Sequence, residues 1–346
     1  MKDFYIADAA RFENQPITSY FCLASISARN RKGGGQYLAL TLSDKTGQFE
    51  ARMWDDIAGV LQTCSSGGYV KVQGQVSKYQ GKFQVTVSKM RSVADSEIDT
   101  ADFIPTTQYD IAAMNTELRS YVDAFRNPDL RALVLSFLDD PLVGAAFLEA
   151  PAAKRLHHAW IGGLLEHVLS LVRVCLATVP FYPEVDPDLL LTGAILHDIG
   201  KVRELSWRSS FDYTLEGQLI GHISIAQGML HEKIAALDAQ AIAANPAAPA
   251  LFPQPLRLLV EHMLLAHHGK LEFGSPKLPM TPEAMLLSAL DDLEAKFQTL
   301  RNEFAAAATA GRSASEPTDW VRSMERPLFN SRAYLQATLP TKPDSE

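Results

Sequence analysis

Cysteine is scarce in this chain of 346 residues. Cys22, Cys64 and Cys175 stand far apart without a Cys-x-x-Cys pair, which indicates neither a disulfide framework nor a thiolate zinc site. Long apolar runs are missing as well. The longest, Leu189 to Leu196, falls far short of the ~20 residues a membrane helix needs, so no membrane association is expected. The opening residues Met1-Lys2-Asp3-Phe4 lack the segments of a signal peptide, and the cytoplasm is the expected compartment. Basic charge is in deficit overall, at −8. That deficit is unevenly spread: residues 1–95 hold 12 Lys and Arg against 8 Asp and Glu, net +4, and the remainder holds 20 against 32, net −12. A basic front end on an acidic chain points to a local polyanion-binding surface; a chance excess spread around a small domain is the plainer alternative.

The front of the chain reads as strands. Tyr37 to Leu42 alternates, Ser43 to Gly47 is a turn signal, and Phe49 to Trp54 follows. Val70, Val72, Gly74 and Val76 share a face before a second turn at Gln80 to Lys82 and a further strand to Val87. Short strands with Gly-rich turns predict a small closed barrel over residues 1–95, with a helix near Asp55 to Gln62. Residues 96–110 are irregular and acidic, the expected linker. Residues 111–310 are predicted helical almost throughout, with a loop or short hairpin over Glu204 to Thr214. The extension 311–346 is expected to pack loosely.

Histidine is absent outside one stretch. All nine residues lie between His157 and His268, within the helical part. A helix over about Ala159 to Ala177 puts His167 on one face with Leu164, Val168, Leu171 and Cys175. His197 falls on the buried side of its helix, Asp198 follows, and Gly200 reads as a helix stop. Asp291 lies on the apolar face of a later helix. Inward imidazoles and carboxylates cost several kcal/mol each unless compensated, and a divalent cation compensates all four together. His222, His267 and His268 are enough for a second ion bridged by Asp198, although each alone could instead touch substrate. The mixed set suits manganese first, with cobalt, iron, nickel, zinc or magnesium as alternatives. Lys201 is placed to meet phosphate charge or to serve a helix end. His157 and His158 could touch phosphate or act as a general acid, with a supporting or surface position the plainer reading of His157; His231 and His262 read as structural.

These residues form a pattern. An isolated His167, the doublet His197-Asp198 and the later Asp291 resemble the HD phosphohydrolase superfamily. The longer motifs, His157-His158-x3-Gly162-Gly163-Leu164-Leu165-Glu166-His167, Gly221-His222, Ala266-His267-His268-Gly269-Lys270-Leu271-Glu272-Phe273-Gly274-Ser275-Pro276 and Asp291 to Lys296, together with the barrel, resemble the YhaM-type 3′-to-5′ exoribonucleases of bacteria. The resemblance implies a multidomain α and β chain, an N-terminal OB-fold barrel followed by an all-α HD-type metallohydrolase domain. It implies 3′-to-5′ removal of nucleotides from single-stranded RNA, with single-stranded DNA left open as a second substrate. Ala266 and Glu294 stand where the family often has a serine and an aspartate.

Small barrels of this type hold single strands on a basic groove with stacked aromatics. Tyr37, Arg52, Trp54 and Lys71 are the groove residues expected here, with mobile charge from Arg29, Arg31 and Lys32 in the loop that continues through Gly33-Gly34-Gly35. The plainer reading makes Tyr37 and Trp54 a barrel-end closure. Two other functions are compatible with the residues: a nucleotide or cyclic-dinucleotide phosphohydrolase with a regulatory barrel, and a non-catalytic nucleic-acid-binding adaptor with a structural metal. Assembly into a homo-oligomer is compatible with all three.

Overall fold

The computed structural model describes residues 2–31, 34–79, 81–99, 102–154, 158–207, 211–309 and 311–339; Lys32 and His157 lie outside them. Strands β1 (Pro16–Asn30), β2 (Gln36–Asp44) and β3 (Gly47–Met53) form an antiparallel meander, helix α1 (Ile57–Thr63) follows, and β4 (Tyr69–Tyr79) and β5 (Lys82–Val93) make a hairpin. β4 returns to pair with β1, and β5 runs parallel to β3, closing the ring in the order β1-β2-β3-β5-β4. Period-2 alternation is the cause. Leu38, Leu40 and Leu42 point inward to meet Phe21, Leu23, Val72 and Val85, all buried. At the bulge beside Gly74 a Cβ would stand 2.5 Å from the Thr86 carbonyl oxygen, so only glycine lets β4 and β5 approach there.

The segment expected as a linker docks on both sides. Phe103 and Ile104 are buried with Cys22, Tyr69 and Val93, and Ile161 and Phe211 of the helical part pack on the same cluster. The Ile161 N–H donates to Pro105 O at 2.8 Å, and Thr107 N–H donates to Ile161 O at 2.9 Å. Two adjacent apolar residues in an acidic stretch carry no period, which is why the pattern hid this docking.

The helical part comprises α2 (Ile111–Asp123), α3 (Pro128–Leu138), α4 (Val143–Glu149), α5 (Gly163–Thr178), α6 (Pro187–Leu196), α7 (Lys201–Glu204), the hairpin β6 (Leu205–Ser206) and β7 (Asp212–Tyr213), α8 (Leu215–Leu219), α9 (His222–Ala244), α10 (Gln254–Ala266) and α11 (Pro282–Thr309). Starts follow the capping signals: Asn127 accepts from the N–H groups of Asp129 and Leu130 ahead of α3, and Asp186 accepts from Leu189 N–H ahead of α6. Every residue of α6 from Leu189 to Leu196 is buried, against α5, α10 and α11. Among the described residues, one helical stretch, Gly163–Phe181, is long and apolar enough to cross a membrane. Its apolar face is spent on this core.

Three local expectations change. α5 starts at Gly163 rather than Ala159, because Gly162 adopts a left-handed φ of 78° and a Cβ on Gly163 would meet His158 O at 2.0 Å. Gly200 is not a left-handed helix stop, since its φ is −62°. A Cβ there would stand 2.0 Å from His222 O, so glycine is what lets the α6–α7 corner touch the start of α9. The tail is more ordered than its composition suggests: Thr318 N–H donates to Leu328 O at 2.8 Å, Val321 and Leu328 are buried, and α12 (Ser331–Thr338) follows.

Candidate metal centre

Three elements converge on one point. α5 contributes His167, the end of α6 His197 and Asp198, and α11 Asp291. His167 Nε2 lies 3.3 Å from His197 Nε2, 3.3 Å from Asp291 Oδ1 and 3.8 Å from Asp198 Oδ2. His197 Nε2 is 3.3 Å from Asp198 Oδ2. On the other side of Asp198, Oδ1 faces His222 Nε2 at 3.4 Å and His267 Nε2 at 3.8 Å, and His268 joins these two histidines in a second compact cluster. All seven residues expected as ligands are therefore brought together around the two Asp198 oxygens.

The imidazoles are oriented from behind. Every Nδ1 faces an acceptor: Glu294 for His167 at 2.8 Å, Ala194 O for His197 at 3.0 Å, Glu204 for His222 at 3.0 Å, Leu264 O for His267 at 2.8 Å and Phe273 O for His268 at 2.8 Å. An acceptor on Nδ1 fixes the proton there and leaves the Nε2 lone pair pointing inward. His222 Nε2 and His267 Nε2 are buried and make no hydrogen bond. A buried nitrogen left so costs about 1–3 kcal/mol, which a cation at that position removes. The residues present thus fit divalent ions.

The electrostatics are those of the side chains alone. Burial opposes charge on His167, but its hydrogen bonds to Asp291 and Glu294 prevail and push it up to about 10, so an ion at Nε2 has to displace a proton there. Burial also disfavours the Asp198 carboxylate, and Lys201 and His197 overcome this, holding it well below the usual carboxylate range. Burial and the neighbouring His197 push His267 well below the usual histidine value, so it stays neutral and ready to bind an ion. The Lys201 ammonium sits 2.5 Å from Asp198 Oδ2. Lys201 follows the C-cap of α6, His197, and opens the single turn α7.

His158 is not at the mouth of the centre. It is 1% exposed, with Nε2 3.0 Å from Glu294 and Nδ1 3.6 Å from Glu166, which removes it from the substrate contact or general-acid role expected of it. His231 pairs with Glu261 at 2.6 Å, and His262 accepts from Met280 N–H at 2.9 Å; neither faces the centre.

On the barrel the expected groove divides. Tyr37 stacks on Trp54 with centroids 4.9 Å apart, and the Arg31 guanidinium lies 4.8 Å from the Trp54 ring while donating to Gln36 O and Trp54 O. Arg31 is therefore fastened rather than mobile, and Trp54 is engaged by two neighbours. Arg29 is exposed at the end of β1, across from Tyr37. Arg52 lies over the ring of Tyr79, which is 52% exposed, in a hollow of about 940 Å³ with Lys82 and Phe83. Lys71 stands on another wall beside Tyr20, Lys89 and Arg91.

Comparison with known proteins decides the family. Residues 164–296 match the HD domain, and residues 24–93 match an OB-fold nucleic acid binding domain. The 3′-5′ exoribonuclease YhaM of Bacillus velezensis is 35% identical over 283 residues, 82% of this chain and 85% of that protein. Those of Bacillus pumilus and Bacillus subtilis are 37% and 34% identical, covering 77% and 83% of this chain and 81% and 87% of theirs. The chain belongs to the YhaM family. Membership gives the arrangement a frame: an OB-fold barrel followed by a helical HD domain that uses divalent metal. Within that YhaM frame, two residues that sequence reasoning passed over become visible, Glu204 and Tyr79, and Glu294, noted from the sequence as a departure from the family pattern, gains a definite position. Glu294 and Glu204 orient metal-facing histidines, and Tyr79 offers a ring on the barrel. Glu294 carried a signal, lying three residues after Asp291 and hence on the same face of α11. Glu204 and Tyr79 carried none that separates them from ordinary polar or strand-end residues.

Proposed function

We propose that this chain is a metal-dependent 3′-to-5′ exoribonuclease that holds single-stranded RNA on its barrel and hydrolyses terminal phosphodiester bonds at the HD centre. The observation that carries the reading is the set of five imidazoles, each blocked at Nδ1: those of His167, His197, His222 and His267 turn Nε2 toward Asp198 or Asp291, and His268 clusters with the last two. RNA and the 3′-to-5′ direction come from the YhaM relatives.

His167, His197, Asp198 and Asp291 would hold one ion, and Asp198 with His222, His267 and His268 a second. Manganese is proposed for a set of this composition. A divalent ion supplies a nucleophilic water at neutral pH and relief of charge on the phosphorus oxygens. The chain supplies the rest. The buried histidines keep their lone pairs aimed without reorganisation, Lys201 brings a positive charge beside Asp198 to meet phosphate, and Arg52 with Tyr79 on the barrel retains the upstream strand.

Incubation of 5′-labelled single-stranded RNA with manganese, magnesium, cobalt or zinc tests this directly. A descending ladder of shortened labelled products is expected, abolished by Asp198→Asn. An intact oligonucleotide beside hydrolysed free nucleotides or cyclic dinucleotides would overturn the substrate assignment.

A further inference from the structure

The ligand His167 is not oriented by a single carboxylate. Behind it, Glu294 uses both oxygens: Oε2 faces His167 Nδ1 at 2.8 Å, and Oε1 faces His158 Nε2 at 3.0 Å. All three side chains are buried. A glutamate has one more rotatable bond than an aspartate, so a single hydrogen bond leaves its carboxylate free to pivot about the contact. The second imidazole removes that freedom.

His158 is itself fixed by the local chain. Its backbone takes a left-handed φ of 49°, and its carbonyl accepts from Ala152 N–H at 3.1 Å. Gly163 is the residue that lets α5 start against that carbonyl, and the Trp160 ring meets the imidazole edge-on at 5.2 Å. A strained backbone held by this many neighbours indicates a side chain whose direction matters.

We propose that His158 and Glu294 are positioning residues: His158 locks the Glu294 carboxylate, and Glu294 locks the ring direction of the metal ligand His167. His158 then reaches His167 through Glu294. The inference rests on the metal-centre reading above and goes beyond it by giving His158 a place in the control of ion affinity.

The test is manganese binding by isothermal titration calorimetry on the full chain, with folding checked by circular dichroism. Glu294→Gln keeps the size and loses the charge, and an affinity loss of about 10- to 100-fold is expected, as for other groups that orient a metal-bound histidine. His158→Gln should lose affinity in the same direction by less, and the double variant should bind no worse than Glu294→Gln alone. Glu294→Asp, which keeps the carboxylate but shortens its reach, should fall between wild type and Glu294→Gln and guards against misfolding of the histidine variant. Additive losses in the double variant, or a His158→Gln protein with unchanged affinity and a lost limb in its pH–rate profile, would overturn the inference. Wild-type protein that binds no divalent ion would instead end the metal-centre reading itself.

Discussion

Lys201 places its ammonium 2.5 Å from Oδ2 of Asp198, the oxygen that also faces His167 and His197. Asp198 is buried and Lys201 half-buried, and desolvation works against the lysine charge, but Asp198 more than offsets this and raises the ammonium above its ordinary value. Lys201 is thus a permanent cation on an oxygen that an ion also requires. Replacing it with methionine removes a competitor for the ion and a partner for phosphate. The expected result for Lys201→Met is manganese affinity equal to or tighter than wild type, with kcat/KM on RNA lower by roughly 10- to 100-fold. Calorimetry with steady-state kinetics separates the two, and a parallel loss of metal affinity would sink the idea.

His267 makes a second prediction with opposite signs for stability and function. Its Nε2 is buried without a hydrogen-bond partner, while Nδ1 is held by Leu264 O. In metal-free buffer that nitrogen is a cost of about 1–3 kcal/mol. His267→Leu should therefore raise Tm in the presence of EDTA, lower the number of ions retained on dialysis, and abolish RNA hydrolysis. A lower Tm without metal would show that the nitrogen is satisfied in solution.

How much of this was legible beforehand depended on the range of each signal. Alternation in Leu38, Leu40 and Leu42 is local, and the strand appears where the pattern placed it. His167, His197, Asp198 and Asp291 were legible because polar groups on apolar faces are costly and draw attention. Gly200 was misread because a helix stop and a close approach demand the same residue, and only the position of His222 tells them apart. The docking of Phe103 and Ile104 and the His158–Glu294 contact, between residues 136 apart, depend on tertiary packing that no local period encodes.

The barrel supports a prediction that separates binding from folding. Trp54 is tied to Tyr37 and Arg31, whereas Tyr79 exposes half its surface and, among the described residues, carries Arg52 alone against its ring. Tyr79→Ala should weaken single-stranded RNA binding about 5- to 100-fold with Tm unchanged, the range expected for one stacked base. Trp54→Ala should lower Tm by several degrees because it dismantles a stack and a tether. Fluorescence anisotropy and calorimetry give both readouts. Equal binding losses at constant Tm would return Trp54 to the role of a free stacking platform.

Asp140 gives a pH dependence away from the metal. Its carboxylate accepts from the N–H groups of Leu142 and Val143 at the start of α4, and from Lys233 Nζ on α9 at 2.6 Å. The Lys233 hydrogen bond, followed by the two backbone donors, lowers its pKa from 3.8 to about 2. A group depressed in the folded state binds its proton more readily when unfolded, so its stabilisation is complete above about pH 4 and is lost as the pH falls through about 2. The site is partly solvated, which screens the ion pair, and about 1 kcal/mol is the expected contribution, that of an ordinary helix cap. Asp140→Ala should therefore be destabilised by that amount at pH 7, and the gap between the two proteins should narrow toward pH 2 in urea titrations. A gap that stays constant down to pH 2 would mean that the carboxylate charge contributes nothing to the junction of α4 and α9.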